Sequence, residues 1–480
     1  MSKLKQFIKA PSMESLFMAA VVLFGFRLGA RPISDNSMLT HLRTGIDMAR
    51  TGAIPRSDPY SFTAAGERWV VQSWLPEWTY GWAYRLGGFE LVVLEQAVLL
   101  AFLAWLVVRL ARTGSPLRTA LASIAAIGVG TAPWSARPLL FGLICMALMI
   151  IVVERRKSPW LLVPLVWVWV NSHGSFPLGL AWLGARALGE GLDWRAWPRE
   201  TWRYVGGFVA GLAVSVANPL GLRLLAFPLT LGEKREAFRN IIEWRSPDFA
   251  REGGYFALAF LAISLALLLH ARLNWRDVVP VVLFTAAGLL ASRNIGALAV
   301  VLAPVLGRAL RRPNAPQEAT HANTNTDLRK NRAVLATITA AFVVFGTLVY
   351  TSDPVDITPY PARSVAWLED ENLLTAPHRL AHEDFVGNYL TLRYGEEAQV
   401  FIDDRYDMYP LSVTRDYRTL LEAKPGVLEV LDRRKIDVVL WQREFPLVQV
   451  LLATGWRETF SEDKFVVLQR VTASQAVPTP

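Results

Sequence analysis

The stretch Ile33–Gly45, "ISDNSMLTHLRTG", decides how this 480-residue chain is read. It directly follows the first apolar run and sets an acid (Asp35), an imidazole (His41) and a guanidinium (Arg43) at the edge of what reads as a membrane span. Ionisable groups inside or beside a span are costly unless they line a polar cavity, so such a patch is the first place to look for function.

Working outward, 52% of the residues are hydrophobic, only 19% are charged, and the mean hydropathy is +0.28. A soluble domain of this length carries more charge, so the fold class is a polytopic α-helical membrane protein. Apolar runs fall near residues 14–31, 91–111, 117–135, 138–154, 159–171, 175–190, 203–218, 254–271, 277–291, 294–310 and 333–351. They predict about eleven transmembrane helices, a few shorter than the roughly 20 residues an untilted span needs.

The formal charge of +9 does not mark a nucleic-acid partner. The Lys and Arg residues sit in short clusters between runs, such as "MSKLKQFIKA", "RLARTGSPLR", "ERRKS" and "ARLNWR", rather than along one stripe. These links alternate, so one orientation in the cytoplasmic membrane satisfies them all: amino terminus in the cytoplasm, carboxyl terminus outside. The first run, with its basic start and small exit Leu28-Gly29-Ala30, also fits a signal peptide, whose removal leaves the rest of the topology unchanged. The single cysteine, Cys145, lies inside an apolar run and excludes both a disulfide framework and a cysteine-based metal site.

The expected organisation is a transmembrane domain over residues 1–351, with outer loops 32–90 and 218–253, and a small extracytoplasmic α/β domain over 352–480. The polar segment "PNAPQEATHANTNTDLRKN" reads as a linker before the last span. The tail alternates short apolar runs with helical patterns: "HRLAHED", "GNYLTLRYG", "AQVFIDD", two helical stretches to Arg434, "DVVLW", "PLVQVLLATG", "WRETF" and "KFVVLQR".

In this topology Arg27, Asp35, His41, Arg137, Asn171, His173, Asn218 and Arg293 all lie at outside ends of spans. A cationic group facing the outer leaflet suits a phosphate or diphosphate head group, because guanidinium forks match phosphate oxygens. Plainer roles compete with this one. Arg27 can snorkel to the interface, Arg137 and Arg293 can serve turns, Asn218 in "NPLG" is a turn former, and Asp35 can pair with Arg31 or Arg43. His173 sits between two half-length runs, where a helix break is tolerated only if it is buried in protein or lines a cavity. In the tail, Asp403, Asp404 and Asp407 with Arg405 follow the predicted strand "AQVFIDD", where α/β sheets bind ligands but where carboxylates also cap turns.

The segment from Ser34 to Trp78, "SDNSMLTHLRTGIDMARTGAIPRSDPYSFTAAGERWVVQSWLPEW", resembles the first outer loop of bacterial GT-C glycosyltransferases. That loop reads D-x-D-x-W-W-H-L-R-x-G, then I-P-R-x-D-P-[FY]-S-[FY]-T, and is distantly similar to oligosaccharyltransferase catalytic subunits. The resemblance extends to "RPLLFG", "WVNSHGSF", "NPLG", "EWRSPDF", "SRNIG" and "VFIDDRYDMYP". It implies a polytopic enzyme that takes a sugar from a polyprenyl-phosphate-linked donor and passes it to a glycan or protein acceptor of the envelope at the outer face. Asp35 stands at the catalytic-base position. His41 and Arg43 match the H-L-R, with Arg43 a donor-phosphate contact. Glu243, Arg245 and Asp248 in "EWRSPDF" correspond to a later loop that carries a substrate-binding acid or metal ligand in some members; a turn at Ser246-Pro247 explains them equally well.

Three departures stand out. Ser37 replaces the second acid, Leu39-Thr40 replace two Trp, and Gln72-Ser73 replace His-Glu before Trp74. The loss of the second acid removes a ligand for a divalent metal, so no metal residues are assigned and the cofactor stays open. A competing reading is a non-catalytic membrane protein, either a lipid-linked glycan transporter or an envelope-assembly scaffold. Against a transporter, the polar residues gather on one face and no internal repeat is visible.

Overall fold

The computed structural model describes residues 11–130, 134–135, 137–238, 241–250, 254–311, 325–397 and 400–470. The basic start "MSKLKQFIKA" and most of the expected linker lie outside the described residues. Every one of the eleven apolar runs forms a helix. In chain order the helices are α1 (Met13–Gly29), α2 (Asn36–Thr51), α3 (Trp74–Leu110), α4 (Pro116–Gly130), α5 (Leu139–Glu154), α6 (Leu162–Ser172), α7 (Pro177–Trp194) and α8 (Arg199–Val214). After them come α9 (Leu222–Glu233), α10 (Arg235–Phe238), α11 (Gly254–Leu269), α12 (Trp275–Leu290), α13 (Ile295–Ala309) and α14 (Asn325–Thr351).

Helix α13 is buried at every position from Ile295 to Gly307. A helix that is apolar all round has no face to give to a polar surface and packs at the centre. Helices around it do the reverse. Leu117, Leu121 and Ile124 of α4 and Val343, Val344 and Leu348 of α14 are large apolar side chains left exposed. Such rows are what a lipid-facing surface presents. By length and composition, α3 and the stretch Asp327–Thr351 of α14 are each able to cross a membrane alone.

The expected first outer loop is largely helical. Met38, Leu42, Gly45 and Ala49 recur at helical spacing and are buried on one face of α2. Helix α3 begins at Trp74, inside the expected loop, and is broken at Gly87-Gly88, where Gly88 has φ 70° and ψ −165°. Its part after the break carries the apolar run. Helices α2 and α3 cross with their backbones in contact: a Cβ on Gly81 would collide with the carbonyl of Gly45, and one on Gly45 with the carbonyl of Glu77.

The tail contains α15 (Ala362–Asp370), β1 (Leu380–His382), α16 (Asp384–Tyr394), α17 (Leu411–Leu421), α18 (Val427–Arg434), β2 (Val438–Gln442), α19 (Pro446–Ala453), β3 (Trp456–Glu462) and β4 (Phe465–Arg470). The sheet order is β1-β2-β4-β3, with β1 parallel to β2 and the other pairs antiparallel. The described part of the expected strand "AQVFIDD", from Val400 on, is not part of this sheet. Val400 instead bridges the first outer loop: its N–H donates to the Tyr60 carbonyl (3.0 Å) and its carbonyl accepts from Phe62 N–H (3.1 Å). The next N–H, of Phe401, donates to Nε2 of buried His382 (2.9 Å). These partners replace a ladder neighbour, which is why extended backbone here builds an interface and not a strand.

A second bridge joins Ile33 to the start of the tail, through Ile33 N–H to the Pro354 carbonyl (2.9 Å) and Asp356 N–H to the Ile33 carbonyl (3.0 Å). Beside the first bridge, at Ser61 and Val400, lies a buried ion cluster. Arg405 pairs with Asp403 (2.7 Å) and with Asp58 of the loop (2.6 Å) and lies 4.6 Å over the Trp69 ring. Asp58 also accepts from the N–H groups of Tyr60 and Ser61 (both 3.1 Å), so one carboxylate orders its own turn and holds the tail.

Candidate functional site

Where α2 starts, the turns before α5 and α13, the second outer loop and the tail meet around a cavity of about 510 Å³. Asp35 caps α2, its Oδ1 accepting from Ser37 N–H (3.1 Å) as an N-cap carboxylate does. Its Oδ2 pairs with Arg137 Nε, and Nη1 of the same guanidinium pairs with Glu243. Arg137 thus joins the segments expected as the first and second outer loops through two carboxylates. Its own position is set by the turn that opens α5, where Leu140 N–H donates to the Arg137 carbonyl (2.9 Å).

The tail supplies further lining. Asp404 Oδ2 accepts from Ser37 Oγ (2.9 Å) and Asn36 Nδ2 (3.0 Å). Its backbone N–H donates to Asn388 Oδ1 (3.0 Å), which also accepts from Thr40 Oγ1 (2.7 Å). Burial, and after it the neighbouring charge of Asp384, pushes the Asp404 carboxyl up to about 7. Asp384 in turn accepts from the hydroxyls of Tyr406 (2.8 Å) and Tyr417 (3.1 Å). Burial raises Glu383 to about 7 and Asp407 to about 6. Lys234 Nζ fixes the turn beyond them by donating to the carbonyls of Asp407 (2.5 Å), Met408 (3.2 Å) and Tyr409 (3.1 Å).

Of the residues singled out from sequence, His41, Arg137, His173, Glu243 and Arg293 line the cavity, as do Asp404, Arg405 and Asp407 of the tail. His41 is hydrogen-bonded through Nδ1 to buried Glu77 (2.6 Å). Arg293 lies 4.3 Å over the Trp244 ring. His173 accepts at Nδ1 from Ser175 N–H (3.1 Å), which leaves Nε2 as its proton-bearing nitrogen. Asp35 reaches the site through Arg137. The others stand elsewhere. Arg27 donates to the Ala30 carbonyl (3.4 Å) and lies 5.4 Å over Phe345 of α14. Arg43 pairs with Asp47 (2.9 Å) and points at the tail, donating to the Leu392 carbonyl (3.4 Å). Asn171 is fully buried, accepting from Trp74 Nε1 (2.8 Å). Arg245 and Asp248 are exposed, Asp248 accepting from Ala250 N–H in a local turn (3.0 Å).

Sequence reasoning did not single out Glu383, Asp384, Tyr406 or Tyr417. The one available signal was "HED" at the end of β1, two adjacent acids at a strand's carboxyl end. Among the described residues, no group of three or more His, Cys, Asp or Glu is arranged to hold a metal ion.

No family model matches the chain, and no curated protein does. Solved structures match over nearly its whole length. It is similar to ArnT from Cupriavidus metallidurans in the apo state, at 15% identity and TM-score 0.52, covering 97% of this chain and 98% of that one. It is also similar to the archaeal oligosaccharyltransferase AglB from Archaeoglobus fulgidus in complex with an inhibitory peptide and a dolichol-phosphate, at 10% identity and TM-score 0.51, covering 99% of this chain and 75% of that one. The fold is therefore GT-C-like.

Proposed function

We propose that this protein is a multi-pass membrane glycosyltransferase that moves a sugar from a polyprenyl-phosphate-linked donor to a glycan or protein acceptor at the outer face of the cytoplasmic membrane. The tail from residue 352 onward is then extracytoplasmic and the amino terminus cytoplasmic. The observation that carries the reading is that one cavity brings together cations, Arg137 and Arg293, with tail carboxylates, Asp404 and Asp384. The dolichol-phosphate held by the AglB structure supports a lipid phosphate as the group the cations receive.

In this account a donor phosphate competes with Asp35 and Glu243 for the Arg137 guanidinium, since charge-assisted forks to phosphate are among the strong polar contacts. Asp35, relieved of its cation and still oriented by Ser37 N–H, accepts the proton of the acceptor nucleophile. That nucleophile forms a bond to the anomeric carbon while the carbon–oxygen bond to phosphate breaks. Arg137 and Arg293 neutralise the departing phosphate. Asp404 is the second carboxylate, positioned by Asn36 and Ser37 to orient the acceptor or sugar.

The test is transfer of label from radiolabelled polyprenyl-phosphate sugars by the purified protein. Asp35→Asn is expected to lower turnover by roughly 10²-fold or more, the range of a positioned acid–base group. Equal transfer by the two proteins removes Asp35 from the mechanism.

A further inference from the structure

Helices α3, α5 and α13 each begin at the candidate site and end together at the opposite side of the bundle. Their starts carry Glu77, Leu139 and the turn at Arg293, and their ends carry Arg109, Glu154 and Arg308. The 16 residues of α5 put these ends roughly 24 Å apart at 1.5 Å per residue. There a second cavity, about 600 Å³, is lined by Arg109, Arg112, Arg155, Arg276, Arg308 and Arg311 against one acid, Glu154.

The acids nearby are already committed. Glu154 takes Arg186 (2.6 Å) and Arg308 (2.7 Å), Asp277 takes Arg308 through two bonds (2.6 and 3.0 Å), and Glu14 takes Arg112 (2.5 Å). Among the described residues, Arg109, Arg155, Arg276 and Arg311 have no carboxylate partner, and Arg276 Nε is buried with no hydrogen-bond acceptor. A bias of basic residues toward one membrane face asks only that they lie in the links between spans. It does not ask that guanidinium groups from four helix ends converge on one cavity, where they repel one another unless an anion joins them.

We infer that this arginine-lined cavity binds a phosphate group, borne either by an anionic lipid head or by a soluble phosphate compound. Guanidinium forks pair bidentately with phosphate oxygens, and this lining offers four such forks without acidic partners. The inference is independent of the proposed transferase activity, because no residue of this cavity reaches the first one.

The experiment uses the full-length protein in detergent and follows thermal unfolding at constant ionic strength in two titrations. One adds inorganic pyrophosphate, and the other adds mixed micelles of phosphatidic acid against phosphatidylcholine alone. A saturable upward shift in either arm, weakened at least tenfold in apparent affinity by Arg155→Gln with Arg276→Gln and retained by exposed Arg272→Gln, supports the site. The responding arm identifies the source. The charge-preserving pair Arg155→Lys with Arg276→Lys keeps the variants comparable if the glutamine pair folds poorly, and is expected to bind more weakly than wild type because the fork is lost. No saturable shift in either arm, or equal affinity in wild type and both double variants, overturns the inference.

Discussion

Ser37 Oγ donates to Asp404 Oδ2 at 2.9 Å, joining positions 367 residues apart in the chain. Ser37 is where the first-loop pattern has its second acid. Here a hydroxyl stands in its place and holds a carboxylate supplied by the tail, while the N–H of the same residue holds Asp35. One serine therefore connects two acids, one from each end of the chain. Whether a single loop carboxylate suffices therefore depends on Asp404.

If Asp404 fills the place of the missing acid, a second acid at position 37 is harmful beside it and useful without it. Ser37→Asp alone sets like charges together and is expected to lower transfer at least tenfold. Adding Asp404→Asn to Ser37→Asp is expected to restore part of that loss, whereas Asp404→Asn alone lowers transfer. Initial rates of the four proteins at saturating donor form the double-mutant cycle that checks this.

The pH dependence of stability follows from burial of the same group. Asp404 is raised from an ordinary 3.8 to about 7, so between these values the folded protein keeps a proton that the unfolded chain has released. Stability from this group is thus fully present below about pH 4 and is lost as pH rises toward 7. Glu383 and Asp407 act in the same direction. Buried His382, lowered to about 4, acts in the opposite direction over part of this range, so the test is the difference between two proteins: between pH 5 and 7.5 the wild type is expected to lose thermal stability relative to Asp404→Asn, which carries no titrating proton there.

The buried Arg405 cluster ties the tail to the first loop. Breaking a buried pair by removing one partner leaves an uncompensated charge at about 3–5 kcal/mol, so Arg405→Met, which leaves Asp58 and Asp403 buried without their cation, is expected to destabilise strongly. Asp58→Ala leaves Arg405 with Asp403 only, so removing Arg405 in the same chain, as Arg405→Met, is expected to cost less than the sum of the two single changes. Equilibrium unfolding of the singles and the double gives the coupling.

At the α2–α3 crossing the two backbones leave no room for a methyl group. Gly81→Ala is expected to separate the helices or shift α2, costing about 1–3 kcal/mol as overpacking does. It also moves Glu77 and its hydrogen bond to His41. The same substitution at Gly206, which faces open space, is the control and is expected to have little effect on packing.

Much of the helical bundle was legible because hydropathy averaged over a span finds long apolar runs, and all eleven runs are helices. The same averaging hid α2, whose buried face of Met38, Leu42 and Gly45 alternates with polar positions and so reads as loop. "AQVFIDD" has the composition of a strand, but its backbone partners, Tyr60 and Phe62, lie more than 300 residues earlier, beyond any local pattern. Within the site, Arg137 and Asp35 were legible as charged groups at the edges of runs and Glu243 through the resemblance of "EWRSPDF", and the structure joins them. Arg43 was equally conspicuous, yet its i,i+4 partner Asp47 and the tail claim it. Glu383 and Asp384 escaped because their role depends on which wall the tail presents.

The most direct test of the composite outer site is a structure of the protein with a polyprenyl phosphate bound. The phosphate is expected within hydrogen-bond reach of Arg137 and Arg293, with Arg137 withdrawn from Asp35 and with Asp404 still held by Ser37. A phosphate bound away from both arginines, or an Asp35–Arg137 pair unchanged with the lipid in place, would contradict that expectation.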